Sequence, residues 1–526
     1  MMRVSAALCV CALLVHCASS GRVLRRIKER VHRIRYEEAK RHLLLLPAVG
    51  KQSISTAKEG YVPQPLDHFD SQCIETIPQR FFVNEAFWKR PHGPVFLYIG
   101  GESAILETSV LLGHHVQMAE DNGALLVALE HRFYGKSISP NGLQIEKLRF
   151  LSSQQALADL VAFHRYIGER YSLTHKNTWI SFGGSYPGAL SAWFHGKFPH
   201  LVYGAVASSA PVKAKLDFSA YNKVVGESLN NEAVGGSEKC VNVVWEAFAA
   251  VEAALMGGNG TQAAKDFVCC GPLETFKDQI ELVQSLADII MGIVQYNKEW
   301  DFMSIAELCS IITNRSEVIE QEAEAYKRLV KLASIYRERQ KQSCLQTSYK
   351  RVVEELKNTS IQTTGVGERQ WYYQTCAEFG FYQTCEDANC PFSRMLTLQS
   401  QTELCPLVFG ISESSLPSHI AFTNRYYGAD HPQTRRVLYV NGDIDPWHEL
   451  SVLPSGSKGV SNRSILINGT AHCADMNPHR DGDPTALKEA QKVWWDSGGD
   501  EAQREVEGAF WETDIERSTT FYSRCY

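Results

Sequence analysis

Residues Trp179 to Phe194 read WISFGGSYPGALSAWF and contain the sharpest local pattern in the chain. Its first residues form the pattern of a buried strand that ends at Gly183 and Gly184, and a helix rich in Ala and Leu follows Ser185 directly. This layout is typical of a nucleophile elbow, in which a tight turn presents a serine hydroxyl at the end of a strand. The N-terminus of the departing helix also favours negative charge that develops beside it.

The elbow motif is imperfect, because Pro187 stands where the GxSxG pattern has its second glycine and Gly188 comes one residue later. Proline is tolerated in a first helical turn, since the amide it lacks would have no partner within the helix. A strand, a glycine turn and a helix also form structural and phosphate-binding connections. The motif alone therefore leaves both interpretations open.

Two later segments supply the acid and the base that a serine nucleophile needs. Asp443 and Asp445 follow the strand pattern VLYVNG at 437–442, and His472 follows SILINGT at 464–470. A serine, then an aspartate, then a histidine is the chain order of α/β-hydrolases. Asp445 is preferred as the acid because it lies in the loop beyond the strand end, whereas Asp443 has the alternative role of capping the turn.

Other histidines compete with this assignment. His131, the His114 and His115 pair, and His448 have three alternative roles, as a base, a metal ligand or an ordinary polar residue. The sequence has no HExxH pattern, and its cysteines are better explained by disulfides than by metal binding. We therefore expect no metal site and no cofactor.

An oxyanion hole needs two backbone donors, commonly the amide after the nucleophile and one from the loop after an early strand. The amides of Tyr186 and Gly101 are the candidates. The alternative for the glycines at 100–101 is a tight turn that binds no ligand.

Short apolar runs and amphipathic helices alternate on both sides of the elbow. Runs at 95–99 and 125–129 are typical of buried strands, and 153–171 has the apolar face of a helix. This order predicts an α/β fold with a mostly parallel sheet covered on both faces. The strand pattern disappears between 214 and 422, where the chain is helical and rich in cysteine, and then returns. The sequence thus predicts one core interrupted by a helical, disulfide-containing cap insertion.

The N-terminal region has the features of a secretory protein. Residues 1–20 contain a short apolar run after Arg3 and end in small residues, as a cleaved signal peptide does. Residues 22–41 hold nine basic and three acidic residues with apolar positions at near-helical spacing. We expect this basic amphipathic helix to be a leader or propeptide, with a membrane-surface helix as the alternative. No run elsewhere is long enough to span a membrane, so no stable membrane insertion is predicted.

Twelve cysteines follow the signal segment, and an oxidising compartment would allow them to pair, although the sequence does not tell which with which. Five glycosylation sequons also require the secretory route, at Asn259, Asn314, Asn358, Asn462 and Asn468. The net charge of −6 gives no support for nucleic-acid binding as the main role.

Together these residues resemble the serine peptidase family of prolylcarboxypeptidase and dipeptidyl-peptidase II. The resemblance covers nearly all of the chain from about Tyr61 to Trp495. The motifs that carry it are GGES, LEHRFYG, LRFLSSQQALAD, FGGSYPGALSAW, KFPHL, VASSAPV, RQWYYQTCAEFGFYQTC, VNGDIDPWHELSV and AHCADM.

The resemblance implies an α/β-hydrolase core with a helical cap before the final strands. It implies Ser185 as nucleophile, Asp445 as acid and His472 as base, with Trp447 and Phe381 lining a pocket that in this family favours proline. Members remove either a C-terminal residue or an N-terminal dipeptide. The family also implies peptide substrates and an endosomal or lysosomal lumen. Secretion is the alternative location, and a homodimer is a further expectation.

The sequence therefore predicts a serine-type peptidase that acts through an acyl-enzyme and is an exopeptidase with a preference for proline. The alternatives are a carboxylesterase or lipase on the same fold and a non-catalytic peptide-binding protein. The predicted divisions are a signal peptide at 1–20, a leader and linker at 21–60, the first part of the core at 61–213, the cap at 214–422, the second part of the core at 423–500, and a tail at 501–526.

Overall fold

A computed structural model describes residues 23–45, 57–298, 303–314, 321–454 and 463–498. The predicted signal peptide, the predicted tail, Asn462 and Cys525 lie outside these residues. The strands are β1 (Lys58–Pro65), β2 (Thr76–Asn84), β3 (Val95–Ile99), β4 (Leu125–Leu129), β5 (Trp179–Gly184), β6 (Gly204–Ser208), β7 (Lys215–Asp217), β8 (Gly380–Tyr382), β9 (Val437–Gly442) and β10 (Arg463–Ile467).

The helices run between and after these strands. They are α1 (Val23–Leu45), α2 (His114–Asn122), α3 (Ile145–Leu148), α4 (Ser153–Tyr171), α5 (Tyr186–Lys197), α6 (Ala220–Asn230), α7 (Glu238–Met256), α8 (Gly260–Asp266), α9 (Phe276–Gln295), α10 (Ile305–Thr313), α11 (Gln321–Arg339), α12 (Tyr349–Lys357), α13 (Glu368–Gln374), α14 (Leu398–Thr402), α15 (Leu416–Tyr427) and α16 (Thr485–Gly498).

The central feature is an eight-stranded sheet in the order β1, β2, β4, β3, β5, β6, β9, β10. The pairs β1–β2 and β2–β4 are antiparallel, and every other neighbouring pair is parallel. This confirms the prediction of a mostly parallel sheet and an α/β-hydrolase fold. In the inner strand β4 every residue is buried, as expected when helices cover both faces.

Alternate residues of each strand face opposite sides of the sheet. Leu97 packs with the helices α4 and α5, whereas its neighbour Phe96 packs with α2 and with Trp494 of α16. The helix predicted at 153–171 is confirmed as α4, which begins after Ser152, whose side chain accepts a hydrogen bond from the amide of Gln155. The sheet therefore holds the ends of β3, β5, β9 and β10 in fixed relative positions.

The region from 214 to 422 is mainly helical, and disulfides hold it together. The pairs are Cys240–Cys309, Cys270–Cys344, Cys376–Cys405 and Cys385–Cys390. Among the described residues, Cys73, Cys269 and Cys473 form no disulfide, so the pairing that an oxidising compartment allows is made there by eight of the twelve cysteines. An even number of cysteines permits full pairing, but only residues that the fold brings together can bond.

Two further features differ from the sequence prediction. The strand pattern was expected to be absent from 214 to 422, yet β7 and β8 form a short parallel pair there. Each strand has three residues, which is too short to show an alternating pattern. Among the described helices, none is both long and apolar enough to cross a membrane.

Candidate active site

The turn between β5 and α5 places Ser185 at the end of the sheet. Ser185 has φ 66° and ψ −135°, a backbone conformation that is unusual for a residue with a side chain. Its amide donates to the carbonyl of Ser208 in the neighbouring strand at 2.8 Å, which helps to hold the turn. Strained turns of this kind cluster at functional sites, where the surrounding structure fixes them.

Asp445 and His472 meet in the loops that follow β9 and β10. The Oδ2 atom of Asp445 lies 2.9 Å from Nδ1 of His472, and its Oδ1 accepts the amide of Trp447 at 3.1 Å. Asp445 is fully buried. His472 lines the same cavity as Ser185. The structure thus brings together the serine, aspartate and histidine that the sequence singled out, over a separation of nearly three hundred residues.

The surroundings of His472 stabilise the imidazolium that forms when this side chain accepts a proton. Burial alone would lower the pKa of His472, but the Asp445 carboxylate and the Cys473 side chain outweigh it and raise the pKa above its ordinary value. An imidazole that accepts a proton beside a buried carboxylate is the requirement for general-base chemistry next to a serine hydroxyl.

Asp443 occupies a different position. Its Oδ1 accepts the amide of Gly469 at 2.7 Å and so connects the loop after β9 to the loop after β10. This contact agrees with the alternative role in a turn that the sequence left open for Asp443.

The competing histidines lie in other surroundings. His131 contacts the hydroxyl of Tyr186 through Nε2 at 3.0 Å, and burial lowers the pKa of its imidazole to about 4. His115 contacts the carbonyl of Ser109 through Nε2 and stacks on Tyr98. His114 lies against Trp494, and His448 lies beside Glu449. In the described part of the chain, no three His, Cys, Asp or Glu residues are grouped as metal ligands would be.

The two candidate oxyanion donors flank Ser185. Tyr186 begins α5, so its amide has no acceptor within the helix. Gly101 follows β3 and lies against the ring of Pro187, and a Cβ added to Gly101 would be 2.4 Å from Cγ of Pro187. Gly101, Ser185 and His472 line one cavity of about 220 Å³, which we call the histidine-side cavity.

Ser185 also lines a second cavity of about 160 Å³, here called the aromatic-side cavity. The rings of Phe381 and Trp447 meet edge to face in its wall, with centroids 5.4 Å apart. The Nε1 atom of Trp447 donates to Oε1 of Gln295, which fixes the indole. Trp371, in the motif RQWYYQTC, also lines this cavity. The sequence alone does not indicate this position for Trp371.

Sequence reasoning missed buried carboxylates near these cavities, among them Glu102 and Asp475. Glu102 pairs with Lys28 of α1. Burial alone would raise the pKa of the Glu102 carboxyl, but the Lys28 ammonium outweighs burial, so the pKa is lowered and the carboxylate stays charged. Asp475 accepts a hydrogen bond from the hydroxyl of Ser208. Burial raises the pKa of Asp475 to about 7. Glu102 lies in the motif GGES and Asp475 in the motif AHCADM, but the neighbouring residues in the sequence do not indicate which side chains these carboxylates contact.

The chain is similar to known serine peptidases. The family model described as serine carboxypeptidase S28 matches residues 64–494. The chain is 42% identical to thymus-specific serine protease of Homo sapiens over 473 residues, which is 89% of this chain and 90% of the relative. It is 41% identical to the Mus musculus protein of the same name, covering 89% and 91%. Identity to lysosomal Pro-X carboxypeptidase of Mus musculus is 26%, covering 81% and 85%.

Proposed function

The chain belongs to the serine carboxypeptidase S28 family and is a serine-type peptidase, and we propose that it cleaves peptides through Ser185, His472 and Asp445. The observation that carries the proposal is the contact of Asp445 with Nδ1 of His472 beside a serine held in a strained turn.

In the proposed reaction, Oγ of Ser185 attacks the carbonyl carbon of the peptide bond while Nε2 of His472 takes the hydroxyl proton. The Asp445 carboxylate accepts a hydrogen bond from the Nδ1–H group of His472, which fixes the tautomer and stabilises the imidazolium. The imidazolium then gives its proton to the leaving amine, and an acyl-enzyme remains on Ser185. A water molecule, activated by the same imidazole, releases the second product.

During these reaction steps, the negative charge that develops on the carbonyl oxygen needs hydrogen-bond donors. We assign that role to the amides of Tyr186 and Gly101, because the first lies at the open end of α5 and the second approaches Pro187 closely. Donors that are already in place stabilise the transition state without reorganisation.

The aromatic-side cavity would receive the residue before the scissile bond. Flat aromatic walls such as Phe381 and Trp447 suit a proline ring, and a relative at 26% identity is named as a Pro-X carboxypeptidase. We therefore propose an exopeptidase that favours cleavage after proline.

We also propose that the enzyme enters the secretory pathway and acts in a lysosomal lumen or outside the cell. Four disulfides require an oxidising compartment, and relatives carry a lysosomal name. The asparagines of four sequons are exposed, as glycan attachment needs: Asn259, Asn314, Asn358 and Asn468. The domain divisions stated for the sequence, with residues 1–20 as signal and 214–422 as cap, are part of the same proposal.

A peptide library digested by the purified protein tests this function. We expect products cut next to a terminus and after proline, analysed by mass spectrometry, and no products from Ser185→Ala. Asp443→Asn is the matched control, since it removes a nearby carboxylate that contacts Gly469 and does not contact His472. Products that Ser185→Ala still forms at the wild-type rate would contradict the proposal.

A further inference from the structure

Residues of helix α1 line the two cavities that contain Ser185. Lys28 of α1 lines both the histidine-side cavity and the aromatic-side cavity, and Ser185 also lines both. Lys28 and Ser185 thus form part of the wall of both cavities. We propose that α1 occupies the substrate cleft as an internal inhibitor and that peptides reach Ser185 only after α1 has left; this rests on the proposed function of Ser185.

An apolar stripe anchors α1 to the cleft wall. Val23, Ile27 and Val31 stand four residues apart on one helix face and are 0%, 0% and 1% exposed. They pack on α9, where Gly292 makes room for Ile27: a Cβ added to Gly292 would be 2.4 Å from Cδ1 of Ile27. A helix seated this closely excludes peptide from the same space.

Two buried carboxylates also contact α1. The ammonium of Lys28 pairs with the buried carboxylate of Glu102, which follows β3 next to the candidate oxyanion donor Gly101. The amide of Leu24 donates to Oδ2 of Asp288 on α9 at 3.1 Å. Carboxylates of the core and of the helical region thus contact the same basic helix from two sides.

A further carboxylate completes the acidic lining of the aromatic-side cavity. Nε of Arg25 lies 3.9 Å from Oε2 of Glu368 at the start of α13. Since the segment 22–41 holds nine basic and three acidic residues, its occupancy of an acidic cleft follows from its composition as well as its shape.

The geometry identifies α1 as an inhibitor and not as a bound substrate. Its peptide groups are hydrogen-bonded within the helix, so none is offered to Ser185 in the extended form that a protease cleaves. The two cavities that remain are about 220 Å³ and 160 Å³, each below the roughly 300 Å³ typical of ligand pockets. Departure of α1 would join them into one cleft.

Substitutions in the full chain test this inference. Lys28→Glu places a second carboxylate beside Glu102, and Ile27→Asp puts a charge against α9; both should release α1. We expect each to raise kcat/KM for peptide hydrolysis at least tenfold. Arg33→Glu is the matched control, because the same charge reversal on the exposed face of α1 should leave the rate unchanged.

A synthetic peptide of residues 23–45 provides the second measurement. Added to Lys28→Glu or Ile27→Asp, it should return hydrolysis to the wild-type rate, and the same peptide carrying the Lys28→Glu change should inhibit less. Circular dichroism establishes that each variant is folded. Ser185-dependent hydrolysis that is equal in wild type and all variants would overturn the inference and leave the proposed function standing.

Two other outcomes would also decide against it. A folded Lys28→Glu variant that loses activity would show that α1 belongs to the working site. Absence of Ser185-dependent hydrolysis in the wild type and in every variant would overturn the proposed function, and the inference with it.

Discussion

Gly101 and Pro187 lie in contact beside Ser185, so that a Cβ added to Gly101 would come within 2.4 Å of Cγ of Pro187. The residue that departs from the GxSxG pattern therefore packs on the loop that is proposed to supply an oxyanion donor. Pro187 does not disturb the helix start, since it stands in the first turn of α5. The shape of the loop after β3 and the identity of residue 187 depend on each other.

This contact makes a rescue prediction. Gly101→Ala should displace the loop and lower kcat by about a hundredfold or more, the usual effect of losing one oxyanion donor. Pro187→Gly alone should have a small effect, and the double variant should recover most of the lost rate. Steady-state kinetics of the four proteins measures the coupling, and a double variant no better than Gly101→Ala would show that the contact does not matter.

Asp445→Asn should lower kcat by roughly ten-thousand-fold with little change in KM, because an amide cannot hold the same tautomer of His472 or stabilise its charged form. Asp443→Asn should retain most activity. A similar loss of kcat in both variants would show that Asp445 does not act alone as the acid of the triad.

The buried carboxyl of Asp475 makes stability depend on pH. Its pKa is about 7 in the fold against 3.8 for the ordinary group, so the folded state holds a proton that the unfolded chain releases between those values. Stability is therefore greatest below about pH 4 for this group and is lost as the pH rises to about 7, by up to roughly 4 kcal/mol. The nearby charges are those of His472 and Asp445.

Asp475→Asn removes this titration while keeping a carbonyl oxygen for Ser208. Melting temperatures at pH 5 and pH 7.5 should differ less in the variant than in the wild type. An equal decrease in both proteins would mean that another group carries the dependence.

Phe381→Ala should reduce kcat/KM for substrates with proline before the scissile bond by about tenfold, the effect of losing roughly 1.4 kcal/mol of apolar contact. Labelling of Ser185 by a small fluorophosphonate should not change, because the reagent carries no residue that would need the Phe381 ring for binding. Phe422→Ala is the control, since Phe422 is exposed on α15. Loss of labelling in Phe381→Ala would indicate general damage to the site.

The sequence predicted what local patterns determine. The strand and helix around Ser185 follow from apolar periodicity and glycine placement, and the order of serine, aspartate and histidine follows from the order of the strands. These are properties of short segments and of parallel-sheet topology. The helical character of Val23–Leu45 was also predictable from its spacing of apolar residues.

Contacts between distant segments were not predictable. Lys28 and Glu102 are separated by 74 positions, and no pattern in either segment names the other. For the same reason, the sequence does not indicate that Cys240 bonds to Cys309. Nor does it indicate that Cys473 remains a free thiol next to His472. Such pairs depend on how the helical region packs on the sheet.

Covalent labelling by a fluorophosphonate reports which serine is the nucleophile. The full chain and its Lys28→Glu variant are treated with a fluorophosphonate, digested and analysed by mass spectrometry. We predict one labelled peptide, modified at Ser185, no label in Ser185→Ala, and strongly reduced label in His472→Ala. Equal labelling of Ser185→Ala and wild type, or label on a different serine, would contradict the account.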